Sequence, residues 1–365
     1  MVCCAFVGLA RGERVDDPAM GLPSKPWQQV DDAVDRALRW MASQQQADGR
    51  MPTKDSGQPG VTSLCILSFM AHGHLPGEGP YGNSIERGFR FVMQCQQPDG
   101  LLAFQQTRRR KVFYGEPSHT ATYNHAVSAL LLSEVYGMTN PENAGELRNT
   151  IQRALDFAYE LQVLQKREAR DIGAWRYVRP HTGADSDVSI TSWYLLFLRS
   201  AKNAGFDVQT KPIEEALQFV VQCFDPGRER FAYSLDEEQN YCPRGTVGAG
   251  ILSLSMGGKH GTEMARVAGD WILANPFPRY NTTTEPHERY HYGIFYCSQA
   301  MFQLGGKYWR DYYNHLMREV LPHQLQDGSW PAEDMGDRIF GRTCSTAFAV
   351  LALSGSNQSL PIFQR

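Results

Sequence analysis

The sequence has no C-x-x-C pair, no zinc-ribbon cysteine spacing, no excess of one charge and no long apolar run. Each absence excludes a class. Its eight cysteines, at positions 3, 4, 65, 95, 223, 242, 297 and 344, lack the paired spacing of a redox or zinc motif. In a chain of 365 residues they do not read as a disulfide framework either. Cys65, Cys297 and Cys344 lie in apolar stretches of small residues, where a thiol behaves as a small hydrophobe. A formal net charge of −3 gives no general attraction to nucleic acid. The one dense basic run, Arg108-Arg109-Arg110-Lys111, reads as a solvated loop. Beyond the first residues no stretch approaches the ~20 apolar residues of a membrane span.

The N-terminus has two readings. Val2 to Ala10 is short and apolar, and Arg11-Gly12-Glu13 and a polar, proline-containing segment follow it. As the end of a signal peptide it places the protein outside the cytoplasm, exported or periplasmic. As an unstructured terminus it leaves a cytoplasmic protein.

What is present is a repeat. Segments 27–46, 84–97, 145–166, 211–224, 260–274 and 309–326 mix charge with apolar residues at helical spacing, as in Ile85, Phe89, Val92 and Met93. Between them lie 62–73, 123–137, 188–204, 245–257, 291–305 and 343–354, rich in Ala, Ser, Gly, Leu and Cys and nearly free of charge. Helices apolar on all sides belong in an interior, and glycines such as Gly73, Gly137, Gly205, Gly257 and Gly305 suit their C-terminal ends. Six alternations of wet-faced and buried helix predict an all-α fold, a ring of six outer/inner helical hairpins. Residues 1–26 read as a tail, 27–355 as one toroid and 356–365 as a second tail.

A turn signature recurs where outer helices end. Gln44-Gln45-Gln46-Ala47-Asp48-Gly49, Gln94-Cys95-Gln96-Gln97-Pro98-Asp99-Gly100 and Gln324-Leu325-Gln326-Asp327-Gly328-Ser329-Trp330 are near copies. Gln162 with Gly173-Ala174-Trp175, and Gln222 with Asp225-Pro226-Gly227, are looser versions. Asp-Gly makes a tight turn with positive φ, a nearby Gln can bond exposed helix-end carbonyls, and the aromatic packs back on the turn. This pattern resembles the QW motif of squalene and oxidosqualene cyclases, whose toroid protein prenyltransferase β-subunits share. The resemblance runs from about Trp27 to the end of the repeats, and it implies the fold more than any chemistry.

Parallel inner helices would open all their N-termini onto one face, gathering partial positive charge there. The polar residues at those starts should then be neighbours: His119, Tyr123 and His125; Asp185 and Asp187; Arg244; Tyr290, His291 and Tyr292; Arg342. His125, Asp187, Arg244 and His291 are the candidates for chemistry. Tyr123, Asp185, Trp193, Tyr290, Tyr292 and Arg342 are the candidates for holding a ligand. Capping explains part of this set, and Arg244 or Arg342 could pair with Asp185, Asp187 or Glu134.

The resemblance carries further implications. Asp185-Ser186-Asp187-Val188 is similar to the D-x-D-D acid motif of class II terpene cyclases, which implies that Asp187 is a proton donor. Val188 stands where that motif ends in Asp, and the second domain of those cyclases is absent from the sequence. The prenyltransferase likeness implies a zinc site built from Cys242, His291 and one of Asp185, Asp187 or Asp236, although Asn240 breaks the family's Asp-x-Cys spacing. No cofactor is required by the other readings. Polysaccharide lyases and glycosidases also use helical-hairpin rings, and Trp175, Tyr177, Trp193, Tyr233, Tyr290 and Tyr292 could serve them as sugar platforms. Two functions remain open: a ligand-binding or scaffold protein with a polar pocket at the barrel mouth, and an enzyme acting on an isoprenoid or a polysaccharide. The expected partner is a small molecule or glycan.

Overall fold

The computed structural model describes residues 24–364, apart from 108–110, 137, 139–140, 180, 335 and 358. The apolar N-terminal stretch, Cys3 and Cys4, Gly137 and the arginines of the basic run lie outside the described residues. Among the described residues twelve helices follow one another: α1 (Ser24–Gln44), α2 (Gly60–Ala71), α3 (Gly82–Gln94), α4 (Pro117–Val135), α5 (Pro141–Gln162), α6 (Val188–Asn203), α7 (Thr210–Gln222), α8 (Arg244–Met256), α9 (Glu263–Ala274), α10 (Tyr290–Leu304), α11 (Gly306–Val320) and α12 (Gly341–Leu353). The even-numbered helices form the inner ring. Each packs on the next, and α12 packs on α2 to close it. Each odd-numbered helix lies outside, between two inner ones, with α1 bridging α12 and α2. The protein is an all-α toroid.

Composition explains the two layers. The twelve residues of α2 are all buried, and glycine lets inner helices touch backbone to backbone. A Cβ on Gly248 of α8 would lie 2.7 Å from the Tyr296 carbonyl carbon of α10, so that crossing requires glycine. Outer helices bury one face only: α3 hides Ile85, Phe89 and Val92 and exposes Arg90. The six described cysteines are free and buried.

The recurrent turn is a clasp that works identically four times. Gln45, Gln96, Gln162 and Gln324 each donate through Nε2 to the carbonyl of the turn glycine, Gly49, Gly100, Gly173 or Gly328. The same amide donates to a carbonyl of the adjoining outer helix, on Ser84, Thr150, Pro212 or Ala33. The bond to Ala33 joins the last repeat to the first. Two residues beyond each glycine, a backbone N–H is accepted by an inner-helix side chain. Met51 donates to Thr62, Leu102 to His125, Trp175 to Thr191 and Trp330 to Thr346. The four glycines have φ of 93, 93, 89 and 92°, and a Cβ on Gly328 would lie 2.5 Å from the Arg36 carbonyl oxygen. Trp175 and Trp330 are fully buried, and their indole N–H groups donate to Ala158 and Val320 of the preceding outer helix, each at 2.8 Å.

The two remaining connections are built differently. After α7 the chain forms a short hairpin in which Phe224–Asp225 pairs with Arg230–Phe231. After α9 it runs through residues 275–289 to α10, held by an ion pair between Arg244 and Glu288. At the opposite end of the ring, Leu360, Ile362 and Phe363 are buried, and Gln303 of α10 donates to the Phe363 carbonyl.

Candidate functional site

The segments that lead into the inner helices converge on a cavity of about 420 Å³, within the size range of small-molecule pockets. Its depth is lined from the inner helices by Val61, Leu64, Val127, Trp193 and Phe348. Its mouth is lined by Tyr114 and His119 before and at the start of α4, Arg176, Tyr177 and His181 before α6, and Tyr233 and Tyr241 before α8. His287 and Arg289 before α10, and Asp337 before α12, complete it.

Three of the candidates read from the sequence line this cavity: Tyr123, Trp193 and Tyr292. Trp193 is held flat against Phe295, with centroids 5.3 Å apart and planes 8° from parallel. Ser189 links the other two, with the Tyr123 hydroxyl at 3.1 Å and the Tyr292 hydroxyl at 2.6 Å. These residues bring α4, α6 and α10 together through one polar band in an otherwise aromatic wall.

Asp187 lies immediately behind that wall. It caps α6, accepting from the Ile190 N–H at 2.8 Å through Oδ1, while Oδ2 is buried 3.7 Å from the Arg176 Nε. Burial lifts its carboxyl to about 6, against the pull of Arg176, the Ile190 N–H and Tyr233. Tyr233 and Arg176 line the cavity, so Asp187 meets it through them.

The expectation that His125, Arg244 and His291 share the mouth with Asp187 does not match their positions. His125 is a clasp residue: Nδ1 accepts from Leu102, Nε2 donates to Ala154, and the ring packs on Phe157 and Tyr194. Burial holds it near 3, neutral. Arg244 pairs with Glu288, not with Asp185, Asp187 or Glu134, and also donates to the Asn275 and Pro276 carbonyls. His291 is enclosed by Glu333, whose carboxylate accepts from the Tyr290 and His291 N–H groups, and by Tyr280 at 3.1 Å.

The other candidates serve the frame as well. Tyr290 packs edge-on against Phe277 and Tyr280. Asp185 is bound by Arg167 on the outer rim. Arg342 ties down the last clasp turn through Asp327 and lies over Trp40. Cys242 stands near the Asn240 carbonyl, in a different setting from His291. Among the described residues no group of three His, Cys, Asp or Glu side chains is arranged to hold a metal ion.

Beside His119, a helix-start candidate, and Tyr177 and Tyr233, candidate sugar platforms, the mouth contains Tyr114, Tyr241, His287, Arg289 and Asp337. The reading of helix starts missed these because they come from the loops before those starts. Tyr114 donates to Asp337 and accepts from the Arg289 Nε at 3.1 Å. Burial, reinforced by Glu333, lifts the Asp337 carboxyl to about 6. His119 touches the rings of Tyr114, Tyr123 and Tyr177 at 4.8, 5.8 and 5.1 Å. Tyr233, Tyr241 and His287 stack in sequence, with centroids 4.9 and 4.4 Å apart. The dense aromatic content of the pre-helix segments was the signal available for them.

No protein-family model matches this chain, and no curated protein matches it. Its fold is similar to that of an unsaturated glucuronyl hydrolase specific for heparin, with a TM-score of 0.65 and 10% identity over 92% of this chain and 98% of that one. A glycosidase aligns with a TM-score of 0.62 and 11% identity, over 93% of this chain and all of the other. A type II terpene cyclase from Scytonema, in complex with geranylgeranyl dihydroxybenzoate, aligns with a TM-score of 0.57 and 12% identity over the same shares. At these identities the likeness establishes the toroid fold, which terpene-cyclising and glycan-cleaving proteins share.

Proposed function

We propose that this chain binds an amphipathic small molecule of isoprenoid type, its apolar part in the depth of the toroid and its polar end at the mouth. The observation that supports this reading is the division of the cavity. Aliphatic and aromatic side chains from the inner helices line the depth, whereas Tyr, His and Arg side chains from the loops line the mouth. Binding without chemistry fits the candidate set, because His125, His291, Arg244 and Asp185 are each committed to holding the frame.

The test uses geranylgeraniol as probe and follows quenching of tryptophan fluorescence, with an unsaturated heparin disaccharide as the contrast. Geranylgeraniol should bind saturably, and Phe348→Trp, which fills the depth, should weaken it about tenfold. Binding of the disaccharide alone would transfer the site to the glycan reading. An enzymatic reading rests on Asp187, whose carboxyl burial raises to about 6 beside Tyr233, so that it carries a proton only in mildly acidic solution. It requires that Asp187→Asn abolish turnover of an isoprenoid that the parent converts; binding unchanged and no conversion by either protein sets it aside.

A further inference from the structure

His119 is a polar side chain of the mouth with a ring nitrogen that the frame leaves unpaired. Its Nδ1 is buried and has no hydrogen-bond partner, so among the described residues nothing fixes its tautomer. With Nδ1 closed off, Nε2 is the nitrogen that the cavity reaches, and it can offer either a lone pair or an N–H. A hydroxyl satisfies that atom in either tautomer, a phosphate or carboxylate oxygen satisfies only its N–H form, and a hydrocarbon leaves it unpaired.

The charges around it point the same way. Arg176 and Arg289 line the mouth, but Asp187 lies 3.7 Å from the first and Asp337 lies 3.8 Å from the second. Glu238 also lines the cavity. Two cations therefore face three carboxylates, and no guanidinium is left uncompensated for an anionic ligand. Burial, then Arg289, His181 and Arg176, hold His119 down at about 3, so it adds no positive charge. Its ring is fixed by the Tyr114, Tyr123 and Tyr177 contacts and by its place in the first turn of α4.

Resting on the reading of the cavity given above, we propose that the ligand carries an uncharged hydroxyl head, that His119 Nε2 is the atom that bonds it, and that the mouth discriminates against charged heads. A diphosphate would have to displace a carboxylate from an arginine or remain unneutralised in a partly dry site. A hydroxyl keeps both ion pairs and satisfies the imidazole.

Three probes with similar chains test this by fluorescence titration at pH 7: geranylgeraniol, geranylgeranyl diphosphate and the hydrocarbon phytane. Geranylgeraniol should bind at least tenfold more tightly than the diphosphate. His119→Phe, which keeps an aromatic ring among the three tyrosines, should weaken geranylgeraniol about tenfold and leave phytane within twofold. His119→Gln, which retains both a donor and an acceptor, should recover part of the loss. Tighter binding of the diphosphate overturns the proposal, as does equal binding of geranylgeraniol to parent and His119→Phe. If phytane binds and the alcohol gains nothing over it, the head-group inference fails while the apolar cavity stands. If none of the three binds, the cavity reading fails and this one falls with it.

Discussion

Four outer-to-inner turns share a clasp of neutral hydrogen bonds, with ion pairs at their exposed edges, whereas the turn between α9 and α10 is held by a buried ion pair. In the clasps, a glutamine amide joins two backbone carbonyls and an inner side chain takes a backbone N–H, so three of the four partner atoms are backbone. Sequence can drift around such a clasp provided the glutamine and glycine stay. In the α9–α10 sector, Glu288 accepts from the Arg244 guanidinium and from the N–H groups of Arg244, Thr284 and Glu285. One carboxylate organises a whole loop there, and its removal strands a buried guanidinium. The comparison teaches that neutral, backbone-directed bonds distribute the closure of a ring, whereas an ion pair concentrates it.

Glu288→Ala should therefore have the largest effect, about 4 kcal/mol, because Arg244 is left buried and uncompensated. Urea unfolding measures it, and a loss no larger than that of a clasp variant would erase the contrast. Trp330→Ala should cost about 3 kcal/mol, since a fully buried indole and its bond to Val320 are both lost. Melting like the parent would show that the aromatic does not secure its turn.

The third test separates one clasp from the other three. His125 occupies the place that Thr62, Thr191 and Thr346 fill elsewhere, and it is held neutral, near 3, by burial. A histidine whose folded pKa is depressed binds fewer protons folded than unfolded. Its penalty is absent above the ordinary histidine pKa of about 6.5 and grows as pH falls from there toward 3. From pH 7 to pH 5 the parent should lose about 2 kcal/mol more than His125→Thr, whatever the variant's stability at pH 7. Parallel stability profiles would mean that the imidazole is not held neutral by its clasp. Gln324→Ala should have the smallest effect, about 1–2 kcal/mol, because the Ala33 and Gly328 carbonyls can recruit water at the partly buried edge of the ring. A loss as large as that of Glu288→Ala would mean that the junction of last and first repeats is as concentrated as the ionic sector.

The sequence by itself determined the ring. Helical periodicity separated charged outer segments from uncharged inner ones, and the Gln and Asp-Gly copies marked where outer helices end, because both signals are local and recur at every repeat. Small residues such as Gly248 announced that inner helices would touch closely. The site was legible only in part. Tyr123, Trp193 and Tyr292 could be placed because a residue on an inner helix faces the axis or its neighbours by helical geometry alone. Whether His125 faced the axis or the outer layer depended on its angular position around α4 and on Leu102 arriving from another repeat, a contact between distant segments. The partner of Arg244 was likewise decided by how the loop of residues 275–289 folds back over α8. Tyr114, Arg289 and Asp337 come from segments outside the twelve helices, with no period to read, and only the closing of the ring brought those loop ends to one mouth.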